Sequence, residues 1–166
     1  MKTLSFLFLL AGTTTQAQQM ASASRPPVAS MVMGEELFKK ANVITLHTAD
    51  SAGVAYTKLA RLLLAEGYVL DKVDRELGFI NTGYHHTAKA SVEVALRFVV
   101  VSQPTGALIE VRGVNRMPGM NNTILAGDSP IEFRGMTGSP ALLAWEAMSQ
   151  LAAGYKASKI TYKRQL

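Results

Sequence analysis

The side chains best suited to chemistry in this chain are few. His85 and His86 are adjacent at the end of LAEGYVLDKVDRELGFINTGYHHT (Leu64–Thr87), a stretch that also holds Glu66, Asp71, Asp74 and Glu76; His47 and Asp50 lie upstream. A metal centre needs several ligands converging on one point. Neighbours in a regular strand point to opposite faces, so His85 and His86 do not readily share an ion. His47 and Asp50 add at most one more histidine and one carboxylate, with no ligand-spacing motif. No metal site and no cofactor are expected.

Paired carboxylates do acid–base work where burial or a like charge raises one pKa. Asp74 and Glu76 instead fall in a turn beside Lys72 and Arg75, where solvent and opposite charge keep carboxylates ionised. The run GDSP, Gly127–Pro130, looks like the serine block of GDS-type esterases. It comes late in the chain, and no histidine follows His86. A serine without a base is a poor nucleophile, and these four residues favour a turn. There is no cysteine, which excludes a disulfide framework and a thiol catalyst. No catalytic residue is assigned, and a non-enzymatic protein is expected.

What remains is chemistry of contact. In NRMPGMNNTILAGDSP, Asn115–Pro130, Met117 and Met120 flank a Pro-Gly turn. Flexible, apolar methionines suit adaptable binding surfaces. With Arg116 and Asn121 beside them, they are the candidate binding residues. Val54, Leu64 and Leu143 lie off the main apolar faces of their helices and extend the possible contact area.

The elements that would position these residues follow from periodicity. NVITLHT has strand character. A helix follows, capped by Asp50 or Ser51, with Ala52, Ala55, Tyr56, Leu59, Leu62 and Leu63 on one face. Gly67 ends it in the left-handed region, where a Cβ is penalised. Tyr68–Asp74 and Phe79–Thr87 form a hairpin whose turn uses Gly78 at positive φ. SVEVALRFVVVS and ALIEVRGVN form a second hairpin, with Arg97, Glu110 and Arg112 on one face and open to cross-strand ion pairing. A structureless loop as long as 116–138 is uncommon in a compact domain, so Ile131–Arg134 is a further candidate strand. SPALLAWEAMSQLAAGY is a second helix, with Ser139 as cap, Pro140 at its first position, and an apolar face of Ala141, Leu142, Trp145, Met148 and Ala152. The expected fold is a two-layer α+β domain in β-α-β-β-β-β-α order, an antiparallel sheet with both helices on one face.

The chain's ends carry a different signal. MKTLSFLFLLAGTTTQAQQ combines a positive start, a short apolar run and small residues before Ala17, the pattern of a secretory signal peptide. The expected organisation is a signal peptide over 1–17, a linker over 18–42, the domain over 43–155, and a basic tail over 156–166. GEELFKKA, inside the linker, has the makings of a helical turn or two. The net charge is +5, and Lys156, Lys159, Lys163 and Arg164 give the tail a possible contact with an anionic surface. Nucleic acid is not an expected partner, because no aromatic-basic stacking surface is evident. No segment after the signal is apolar and long enough to span a bilayer. A periplasmic or secreted, unanchored protein is expected.

The residues LLLAEGYVLDKVDRELGFINT, the hairpin VEVALRFVVVSQPTGALIEVRG and SPALLAWEAMSQLAAGY together resemble small exported bacterial domains of the BamC-like helix-grip and TATA-binding-protein-like types. The resemblance lies in pattern and element order over a little over half the chain. It implies an exported, non-catalytic domain that binds an envelope protein or cell-surface component. The alternative it implies is a small apolar ligand or lipid held between helices and sheet.

Overall fold

A computed structural model describes residues 32–34, 36–87, 92–118 and 127–165. The signal peptide over 1–17 and most of the linker lie outside the described residues, as do Met120 and Asn121. Among the described residues, two helices lie on one face of an antiparallel sheet of nine strands. The strands are β1 (Val32–Gly34), β2 (Val43–Thr48), β3 (Leu70–Asp74), β4 (Phe79–Thr82), β5 (His85–His86), β6 (Glu93–Gln103), β7 (Gly106–Arg116), β8 (Ser129–Pro130) and β9 (Lys159–Arg164). Helix α1 spans Ala52–Ala65 and α2 spans Pro140–Gly154. The sheet runs β1-β9-β2-β7-β6-β4-β3, with β5 also on β6 and β8 also on β7. This is the expected two-layer α+β architecture with more strands than periodicity alone gives.

The helices bury the stripes their sequences dictate. Ala55, Leu59 and Leu63 recur every fourth residue on α1 and are buried. On α2 the buried set is Ala144, Trp145, Met148, Leu151 and Ala152. Opposite them stand the alternate residues of the central strands: Ile44 and Leu46, Leu96 and Phe98, Ile109 and Val111. Leu143 also packs partly against this core, so it does not extend a contact patch, whereas Val54 and Leu64 are exposed. Ser139 caps α2 by accepting the Leu142 amide at 3.3 Å. Ser51 takes the N-cap position of α1 without a side-chain hydrogen bond. The neighbouring Asp50 carboxylate instead accepts from Lys58 at 3.1 Å and from the Tyr155 hydroxyl at 3.0 Å. Gly67 and Gly78 take φ of +80° and +70°.

Four expectations need correction. The basic segment after residue 156 is not a tail: Lys159–Arg164 is a strand that inserts between β1 and β2. Its charges hide a period of two, in which Ile160 and Tyr162 pack against the core while Lys163 pairs with Glu110 on the other face. The domain also begins before residue 43. Ala41 is buried, its carbonyl accepts from the Phe133 amide, and Val32–Gly34 pairs with β9. GEELFKKA forms no helix in its described part. Lys40 sits at φ +69° and donates its amide to the Phe133 carbonyl, a long-range bond that a helical turn does not allow. Finally, Ile131–Arg134 is not a strand. The pairing falls one step earlier, where Ser129 and Pro130 oppose Asn115 and Val114.

Candidate functional site

Each central strand turns alternate residues away from the helices, and these form the open face of the sheet. Register lines them up in rows. Lys72 lies opposite Asn81, Asn81 opposite Arg97, and Arg97 opposite Arg112. Further along the same open face, Val43 lies opposite Lys163. The hairpin's face assignment was right, but its ion pairs differ from the simplest expectation. Arg97 faces a like charge, whereas Glu110 faces Val99 and binds Arg112 at 2.9 Å and Lys163 at 2.8 Å. Burial opposes ionisation of Glu110. The hydrogen bonds from Lys163 and Arg112 outweigh it and hold the carboxyl below its ordinary range. Arg97 is exposed and makes no ion pair among the described residues. Like charges directly opposite on adjacent strands are destabilising, so this arrangement is held by the rest of the fold rather than by the pair.

Asn81, Arg97 and Arg112 of this row, with Asp71 at the β3 end, form one side of a recess of about 740 Å³ in the open face. Ala95 and Val114, directly opposed, give it a shallow apolar floor beside the two arginines, and Val43 and Pro130 add apolar surface. One wall is closed by Asn42 and Gln165, which exchange two side-chain–backbone hydrogen bonds of 2.8 Å. Asn81 Oδ1 and Gln165 Oε1 are buried acceptors without a donor, and both residues line the recess. At the other end, the Tyr84 hydroxyl donates to Asp128. The Arg116 guanidinium lies 3.6 Å above the Tyr84 ring and binds Glu93 at 2.6 Å. Burial and the bond to Asp128 push Tyr84 up to about 12.

The sequence candidates meet this site only at its rim. Arg116 ends β7, and its guanidinium is engaged by Glu93 and Tyr84. Met117 follows it, partly buried. His86 lies 3.3 Å from Glu93, whereas His85 turns the other way and stacks on Tyr68 at 4.2 Å. His47 approaches Thr161 on β9, and both β7 and β6 separate its strand from β5. Among the described residues, no three His, Asp or Glu side chains gather as a metal site would require. Ser129 is a β8 residue whose carbonyl accepts from Asn115. Asp74 accepts the Leu77 amide at 2.8 Å, a turn role.

Arg97, Arg112 and Asn81 were missed as site residues. Their common face was readable from alternation. Their opposition to one another depends on register, which the sequence does not fix. Tyr84, Asp128 and Gln165 carried no local signal, because they converge from three distant parts of the chain. Compared with protein-family models and with curated proteins, the chain matches none.

Proposed function

We propose that this is an exported, non-catalytic binding domain whose ligand sits in the recess on the open face of the sheet. The ligand class that fits is an amphipathic anion, with a carboxylate or phosphate between Arg97 and Arg112 and an apolar body along Ala95, Val114 and Pro130. One observation carries this reading: Arg97, a cation with no ion-pair partner among the described residues, faces Arg112 beside an apolar floor. An anion there relieves the repulsion and gains charge-assisted hydrogen bonds. A recess of about 740 Å³ falls within the size range of small-molecule sites. The orphaned acceptor of Asn81 favours a ligand that also carries a hydroxyl or amide donor.

A binding role also accords with how the titratable groups at the rim are spent. Tyr84 is tied to Asp128 and raised to about 12, far from useful acid–base range near neutrality. Glu93 is shared between Arg116 and His86. The space between helices and sheet is filled by Leu59, Leu63, Phe98 and Met148, each at most 1% exposed, so the ligand is assigned to the opposite face. Export rests on the first 17 residues and their signal-peptide pattern.

Calorimetric titration with dodecyl phosphate, kept below its micelle concentration and compared with dodecanol, tests the assignment. The phosphate should bind and the alcohol should not. Arg97→Gln should weaken phosphate binding by at least about tenfold, the usual effect of losing a hydrogen bond to a charged group. Equal binding of the two probes, or an unchanged affinity in Arg97→Gln, would refute it.

A further inference from the structure

The recess holds a second unsatisfied charge, of the opposite sign to Arg97. Leu70 pairs with Thr82 and Lys72 with Asn81, so β3 has one residue more than β4 between these partners, and that residue is Asp71. A bulge of this kind re-aims a side chain. Lys72 takes the place opposite Asn81, and Asp71, the extra residue, lines the recess. The Asp71 carboxylate accepts no hydrogen bond and makes no ion pair among the described residues. Asp128, the other carboxylate of the recess, is taken by the Tyr84 hydroxyl. Lys72, although next to Asp71 in the chain, is not part of the lining.

Asp71 and Arg97 do not meet, and β4 lies between their strands. Two strand spacings, about 10 Å, separate β3 from β6. Between the two charges stands Asn81, directly opposite Arg97, with its Oδ1 buried and without a donor. The order across the sheet is thus carboxylate, amide acceptor, guanidinium. A ligand that satisfies all three carries an N–H-bearing cation at one end and an anion at the other. With each charged group about 2.8 Å from its protein partner, the ligand's two charges lie roughly 4–5 Å apart.

We propose, resting on the assignment of an amphipathic anion to this recess, that the ligand is a zwitterion: a phosphate on Arg97 and Arg112, and a primary ammonium two carbons away on Asp71 and Asn81. In a phosphoethanolamine ester four bonds of about 1.5 Å join phosphorus to nitrogen, a zigzag of roughly 5 Å. An α-amino carboxylate carries both charged groups on one carbon, too close together to reach both ends. A quaternary ammonium has the right charge but no N–H, and it leaves the Asn81 acceptor buried and unpaired. Such cations are held instead by aromatic faces. Tyr84 is the aromatic side chain of the lining among the described residues, and Arg116 already covers its ring at 3.6 Å. The donor that Asn81 requires is therefore an ammonium, because a free carboxylate lies at the same end of the recess.

Calorimetry with three dodecyl esters, each below its micelle concentration, tests this. Dodecyl phosphoethanolamine should bind at least about tenfold tighter than dodecyl phosphocholine, the usual effect of a hydrogen bond to a charged group. Asp71→Asn should abolish that preference by weakening phosphoethanolamine binding about tenfold. The same variant should tighten binding of dodecyl phosphate, whose charge the carboxylate repels. Asp71 is exposed, so the variant should fold, which circular dichroism verifies. Equal affinity of the parent for the two zwitterions would overturn the proposal. So would an Asp71→Asn variant that keeps the preference or weakens all three esters alike. In each of these cases, binding of dodecyl phosphate by the parent leaves the anion site standing; failure of every ester to bind would overturn both. Co-sedimentation with phosphatidylcholine vesicles, with and without phosphatidylethanolamine, distinguishes a headgroup taken from a bilayer from a dissolved ester, and capture from either source supports the assignment.

Discussion

Gly113 offers a sharp test of how the open face and the core are joined. It lies on β7 between the buried residues Val111 and Val114's neighbour Asn115, and its carbonyl accepts the Ile131 amide at 2.9 Å. A Cβ built there would lie 2.7 Å from Ile131 Cδ1, 2.7 Å from Leu96 Cδ2 and 2.9 Å from the Ala95 carbonyl oxygen. Carbon atoms pack at about 3.5–4.0 Å, so both side-chain contacts fall short by roughly 1 Å. Ile131 and Leu96 are 0% and 2% exposed, which leaves them little room to retreat. Overpacking of this kind costs about 1–3 kcal/mol. Gly→Ala also restricts the unfolded chain, which offsets about 0.4–1 kcal/mol. Gly113→Ala should therefore destabilise by about 1–2 kcal/mol, seen in urea as a lower midpoint with an unchanged slope. Ile131→Val removes the clashing Cδ1 and alone costs about 0.5–1.5 kcal/mol. The double variant should be more stable than the sum of the two changes predicts, by about 1 kcal/mol. Strict additivity, or a neutral Gly113→Ala, would refute the packing described for this joint.

Two further outcomes follow from the cap and the charge cluster. Ser139→Ala removes the acceptor of the Leu142 amide and should cost about 1 kcal/mol in urea unfolding, while Ser139→Asp should retain most of the stability. Glu110 is held below its ordinary value of 4.5 despite burial, so its ionised form favours the folded chain above that pH. That contribution should fade as pH falls through the depressed folded value. The melting temperature of Glu110→Gln should lie below that of the parent at neutral pH, and the gap should close in acid.

Helices and hairpins were legible because their signals are local. Ala55, Leu59 and Leu63 recur at helical spacing, Ser139-Pro140 marks a helix start, and Val94 to Val100 alternates with its neighbours. β9 was obscured because Lys159, Lys163 and Arg164 outweigh Ile160 and Tyr162 in any reading of charge. Those lysines sit on a strand whose other face is apolar, which a charge count does not register. β1 and β8 are too short to carry a period. The candidate site was legible only in part. Alternation gave the face shared by Arg97, Glu110 and Arg112, but not which of them oppose. The methionine loop drew attention through composition, whereas Tyr84, Asp128, Asn42 and Gln165 come together only through long-range pairing.

That β9 lies inside the sheet ties folding to the order of synthesis. β2 pairs with β9 across more than 100 residues, as in Asn42 and Gln165, 123 positions apart. Loops this long close slowly. A ribosome that has not yet released Lys159–Arg164 holds a chain whose first long strand still lacks a flank. Until Lys159–Arg164 emerges, β2 and β1 have no strand to join them, so the sheet is completed only by residues at the far end of the described chain.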